Sequence, residues 1–87
     1  MRKYFRLSGW VQGVGFRYRA YHAANRYGVT GYVKNCSDGS VEMELEGTEE
    51  DIDRVFMTIE QGHFIRIENM EVKTVPEEGS RSFEIRD

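Results

Sequence analysis

At residues 11–16 the spacing of apolar side chains switches from every second residue to every third or fourth. A strand must therefore end and a helix begin around one short loop, Gln12-Gly13-Val14-Gly15. Before it, Phe5, Leu7, Gly9 and Val11 share one face of an extended segment over residues 4–11, with Arg6, Ser8 and Trp10 on the other. After it, Phe16, Ala20, Ala23, Ala24 and Tyr27 form one helical stripe. Gly28 stands where a left-handed cap ends such a helix.

The same test divides the rest of the chain. Thr30–Asn35 reads as a short strand, Cys36-Ser37-Asp38-Gly39-Ser40 as a turn, and Val41–Glu46 as a strand in which apolar residues alternate with glutamates. Thr48-Glu49-Glu50-Asp51 resembles a capping box, opening a helix with the stripe Ile52, Val55, Phe56 and Ile59 and closed by Gly62. Residues 65–75 contain another strand, where the apolar register shifts between Ile67 and Met70; a bulge or a later start is expected. Pro76–Ser80 is a turn, and Phe83 and Ile85 mark a short final strand. The order β-α-β-β-α-β plus a terminal strand predicts an α+β fold of the split β-α-β, or ferredoxin-like, kind. Its antiparallel sheet carries both helices on one face.

At 87 residues the chain has room for one domain, expected to span 1–87. Its 39% apolar and 31% charged content is globular. Cys36 stands alone, so no internal disulfide forms, which suits a reducing cytoplasm. Met1–Trp10 has no continuous apolar run, and neither a signal peptide nor a membrane span is expected. Charge is unevenly placed: the first 37 residues carry +7 and the remainder −10. Either the first half faces an anion, or the asymmetry is surface patterning.

The segment Gly9–Arg17 is where an anion could sit. Helix N-termini present unpaired N–H groups and the positive end of the macrodipole. Glycines let several N–H groups converge, and a guanidinium can hold two phosphate oxygens. Arginine is also the wrong sign for dipole stability at this helix end, which makes Arg17 a functional candidate. The alternative is a tight strand-to-helix turn with a surface arginine. Other phosphate motifs fail: a dinucleotide fingerprint needs glycine where Tyr18 stands, and the Gly-Lys-Ser/Thr ending of a Walker loop is missing.

The run Gly9-Trp10-Val11-Gln12-Gly13-Val14-Gly15-Phe16-Arg17 resembles the signature of the acylphosphatase family at every fixed position. Gly31-Tyr32-Val33-Lys34-Asn35, followed by Gly39-Ser40-Val41, resembles a second stretch of that family. The likeness implies one small domain that hydrolyses acyl phosphates to a carboxylate and inorganic phosphate, without metal or cofactor. It implies substrate binding by Gln12, Gly13, Val14, Gly15, Phe16 and Arg17, with Arg17 and Asn35 as the catalytic pair, Asn35 holding the water. It also implies a monomer acting on a small molecule, with no nucleic-acid or membrane partner. Two departures stand out: Cys36 lies outside the family pattern, and Gln61-Gly62-His63-Phe64 lacks the Ser-Pro or Gly-Pro often found there. Related domains also occur inside larger hydrogenase-maturation proteins, whereas this chain is expected to stand alone.

From the residues themselves, Asn35 before a turn is common for backbone reasons, yet its amide can accept from a water and donate to a phosphoryl oxygen. A cysteine-phosphatase mechanism is disfavoured, because Glu42 stands where the partner arginine of Cys36 belongs. His22 and His63 have no metal-ligand spacing and are expected at the surface. RNA-recognition domains share the fold, but Glu42, Glu44 and Glu46 and a pI near 5.4 oppose phosphate binding on the sheet.

Overall fold

The computed structural model describes residues 1–86; Asp87, the last residue of the expected domain, lies outside the described residues. The elements are β1 (Arg2–Trp10), α1 (Phe16–Tyr27), β2 (Thr30–Asn35), β3 (Val41–Glu46), α2 (Glu49–Glu60), β4 (Arg66–Val75) and β5 (Phe83–Arg86). They form one five-stranded sheet in the order β4-β1-β3-β2-β5. The first four strands pair antiparallel, and β5 joins parallel to β2, so the complete sheet is mixed.

Alternation decides which face is covered. Phe5, Leu7, Val33, Val41, Met43 and Leu45 point to one side and join Phe16, Ala20, Ala24, Ile52, Val55 and Ile59 of the helices in a single core. The bulge expected in the fourth strand is present: Ser8 faces Asn69 but Gly9 faces Ile67, leaving Glu68 extra. Gly31 is required by strand proximity, because a Cβ there would run into the carbonyl of Glu44 on β3. Gly62, by contrast, does not act as a left-handed cap. Gln61 is the C-cap of α2, and Gly62 instead leaves room for the Ile65 Cδ1 and Arg19 Cδ atoms, which a Cβ would meet at 2.6 and 3.0 Å.

The helix-free face carries a charge network across β1, β3 and β2. Arg2, almost fully buried, donates to Glu44 at 2.6 Å, to Glu46 at 3.0 Å and to Ser80 Oγ at 3.0 Å. Burial works against its charge, but the hydrogen bonds to Glu44 and Glu46 outweigh that and raise its pKa. Tyr32 donates to Glu42 at 2.9 Å and lies under the Arg86 guanidinium, 4.2 Å from its ring centroid. Burial, and then the Glu42 bond, push the Tyr32 phenol upward. Arg6 bonds Asp38 at 3.0 Å. Two of the seven cations of the first half, Arg2 and Arg6 of β1, are thus paired with carboxylates of β3 and of the turn before it.

This pairing sets an acid limit. The backbone N–H of Glu78, then Arg2, lower the Glu46 carboxyl, while the Ser40 hydroxyl and amide, then Arg6, hold Asp38 well below the usual range. A lowered folded-state pKa adds stability above the unfolded value and loses it as pH falls. Chemical denaturation midpoints are therefore expected to be flat from neutral pH down to about 5 and to fall steadily below about pH 4. Glu46→Gln should flatten part of that fall; an unchanged slope would remove Glu46 from the account.

Candidate active site

β1 and β2 both run antiparallel to β3, which lies between them. Their C-terminal ends consequently emerge at the same end of the sheet, and β5, parallel to β2, brings its own end there too. The loop after β1 and the turn after β2 become neighbours although their strands never pair. Gln12 ties them together: its Nε2 donates to the backbone oxygens of Cys36 and Ser40, both at 2.8 Å. The turn is braced internally by Cys36 N–H to Ser40 O at 2.8 Å and by Asp38 accepting from Ser40 N and Oγ.

The two helices begin in opposite ways. α2 is capped by Thr48, whose hydroxyl accepts from Asp51 N–H, and Glu49, Glu50 and Asp51 offset its positive end. α1 starts from Gly15 with no side-chain cap and no acid in its first turn. No acid of its own first turn offsets its positive end, and Arg17 stands beside it. Gly13 and Gly15 have φ of 74° and 80°, while Val14 between them is not left-handed. Such alternation turns successive N–H groups into one concavity. A Cβ at either glycine would touch nothing within 4 Å, so the requirement is conformational rather than steric.

Gly13, Gly15, Phe16, Arg17 and Asn35 line one cleft of about 270 Å³. Phe16 is buried in the core, which fixes the first turn of α1 and hence the position of half-buried Arg17. Asn35, at the end of β2, contributes a buried Oδ1 with no hydrogen-bond partner among the described residues. Gln12 and Val14 do not line the cleft. Gln12 spends both amide hydrogens on the turn carbonyls, and Val14 packs against the core. Val11, which lies inside the first motif without a role assigned to it there, completes the wall together with Tyr18 and Ile85, which lie outside both motifs. For Tyr18 the available signal was its position after Arg17, one turn from Gly15; Ile85 depends on parallel pairing about 50 residues away in sequence, which local patterning does not display. Cys36 is a partly exposed turn residue, and among the described residues no group of three or more His, Cys, Asp or Glu could hold a metal.

Together, the fold and this cleft define a class: a small ferredoxin-like α+β domain with an anion-receptive junction between its first strand and first helix. The family model for acylphosphatase matches residues 3–85, and the chain belongs to the acylphosphatase family. It is 39% identical to the acylphosphatase of Clostridium acetobutylicum over 88 residues, covering 98% of this chain and 97% of the relative. With the acylphosphatase of Caldanaerobacter subterraneus it shares 42% identity over 77 residues, 87% and 86% of the two chains. The crystal structure of acylphosphatase from Bacillus subtilis superposes with a TM-score of 0.89 at 33% identity, covering all of both chains. Full-length HypF in a phosphate- and nucleotide-bound form matches with a TM-score of 0.86 at 27% identity, over 99% of this chain but 12% of that one. The chain is accordingly an enzyme of the acylphosphatase kind, and acyl phosphates are its substrate class. No helix among the described residues is long and apolar enough to cross a membrane.

Proposed function

We propose that this chain hydrolyses acyl phosphates without a metal, with the phosphoryl group held by the loop Gln12–Phe16 and Arg17 and the attacking water held by Asn35. The observation that carries this reading is the buried, unpartnered Oδ1 of Asn35 in the same cleft as Gly13, Gly15 and Arg17. A buried acceptor without a partner costs about 1–3 kcal/mol, and a water poised for attack satisfies it. Gln12 serves as the brace that holds the loop against the Asn35 turn.

In the proposed reaction the phosphate docks on the loop amides and the arginine fork. A water on Asn35 adds its oxygen to phosphorus, roughly in line with the bond to the acyl oxygen. That phosphorus–oxygen bond breaks, the carboxylate departs with the electron pair, and the proton of the water passes to the phosphate product or to solvent. Arg17 and the amides stabilise charge spread over the equatorial oxygens of a loose transition state. The leaving carboxylate has a conjugate acid of pKa about 4 and needs neither proton nor Lewis acid to depart. A monomer working in the cytoplasm on a small molecule fits this reading. Nucleic acid does not, because Glu42, Glu44 and Glu46 occupy the open face of the sheet.

Asn35→Ala separates the two roles. Turnover of acetyl phosphate is expected to fall about 100-fold, as for a misplaced reactant, while inorganic phosphate still binds. The variant should be about as stable as the parent, since Oδ1 makes no hydrogen bond to the described residues that its loss would break. Calorimetric phosphate titration beside steady-state rates decides between the roles. Collapse of phosphate affinity with intact turnover of bound substrate would make Asn35 a binding residue and end the water assignment.

A further inference from the structure

Next to the phosphate cleft runs a second groove of about 410 Å³. The two share Gly15 and Tyr18 and so adjoin, whereas Asn35 lines only the cleft. One wall is Tyr18 and His22 from α1, an edge-to-face pair with centroids 4.4 Å apart. The other includes His63 and Phe64 from the segment between α2 and β4, again edge-to-face at 5.4 Å. Phe64 is 71% exposed, and beyond it the surface continues to Trp10, 66% exposed. Among the described residues no acidic side chain lines the groove, and Arg19 is the one charged residue there. Large aromatics held open to water beside a catalytic cleft are unexplained by the core, which is complete without them. The segment carrying His63 and Phe64 is also where the sequence departs from the pattern of its family.

We propose that this groove holds the acyl group of the substrate and that the acyl group it fits is aromatic. The inference rests on the phosphate-cradle reading above. In-line attack puts the leaving carboxylate on the side of phosphorus away from the water, and hence away from Asn35. The groove opens past Gly15 and Tyr18 and lacks Asn35, as that geometry demands. A planar acyl group entering there meets ring edges and faces from both walls, an arrangement that favours aromatic over small aliphatic groups. Binding energy from this non-reacting part of the substrate then helps to hold the phosphoryl group in place.

The test is the ratio of kcat/KM for benzoyl phosphate to that for acetyl phosphate, compared between variants so that intrinsic reactivity cancels. Phe64→Ala is expected to lower this ratio roughly 3- to 10-fold, the scale of one lost aromatic pairing, chiefly through KM for the aromatic substrate. Phe64→Tyr, which keeps the ring, should hold the ratio near that of the parent. Because Phe64 lies outside the core, both variants are expected to fold. An equal ratio in the parent and Phe64→Ala would overturn the proposal. Failure of the phosphate cradle has a different signature, parental turnover of both substrates by Arg17→Lys, and that result would overturn both readings.

Discussion

Arg17→Lys is expected to lower kcat/KM for acetyl phosphate about 100- to 1,000-fold, although it preserves the charge. Arg17 sits in the first turn of α1, beside the left-handed pair Gly13 and Gly15, and lines the same cleft as Asn35. A guanidinium presents parallel donors that match two phosphate oxygens, while an ammonium is a point charge with three rotating donors. Losing one preorganised donor typically costs about 2.7–4 kcal/mol at the transition state. Fold is not at stake, because the core anchor of this turn is its neighbour Phe16. Steady-state kinetics on a variant with unchanged circular dichroism provides the check, and parental turnover would remove Arg17 from the site.

Glycerol phosphate is expected to be hydrolysed at least about 100- to 10,000-fold more slowly than acetyl phosphate, the range that a positioned general acid usually supplies. Among the described residues lining the cleft there is no carboxylic acid, imidazole or thiol; the one phenol, Tyr18, is 67% exposed, and an arginine does not give up its proton. A carboxylate leaves unaided, but an alkoxide needs a proton or a Lewis acid. The magnitudes agree. Positioning contributes at most ~7–11 kcal/mol and a strong oxyanion donor ~2.7–4 kcal/mol. The slowest monoesters need acceleration approaching ~10²¹-fold, or about 29 kcal/mol. Both substrates should be compared at equal enzyme concentration with a chelator present. Comparable rates on the two would mean that an acid or a metal takes part in the chemistry.

What local pattern could reveal was mostly what local forces decide. The bounds of α1, β2 and β3 follow from periodicity and turn residues, and the bulge at Glu68 shows as an apolar register slip. Contacts that depend on distant partners stayed hidden. Arg2 lies outside the extended segment legible over residues 4–11, yet it belongs to β1 and is buried because Glu44 and Glu46 of β3 receive it. Gly62 has the position of a helix cap, but its neighbours in space, Ile65 and Arg19, explain it better. At the site, the glycines, Arg17 and Asn35 could be marked from their motifs. The turn of Gln12 toward the Cys36 and Ser40 carbonyls could not, because nothing in its own segment says what lies 24 to 28 residues ahead.

The placement of β3 between the strands that bear the two halves of the cleft has a consequence for how this protein folds. Neither β1 with α1 nor β2 with its turn can assemble the cleft by pairing with the other, because the middle strand must first bridge them. Half of that bridge is the local β2–β3 hairpin, while the other half joins residues such as Arg2 and Glu46, far apart in the chain, and carries the larger cost of loop closure. Without the β1–β3 pairing the two halves of the cleft are not held together. Recovery of enzymatic rate during refolding therefore reports completion of the central sheet.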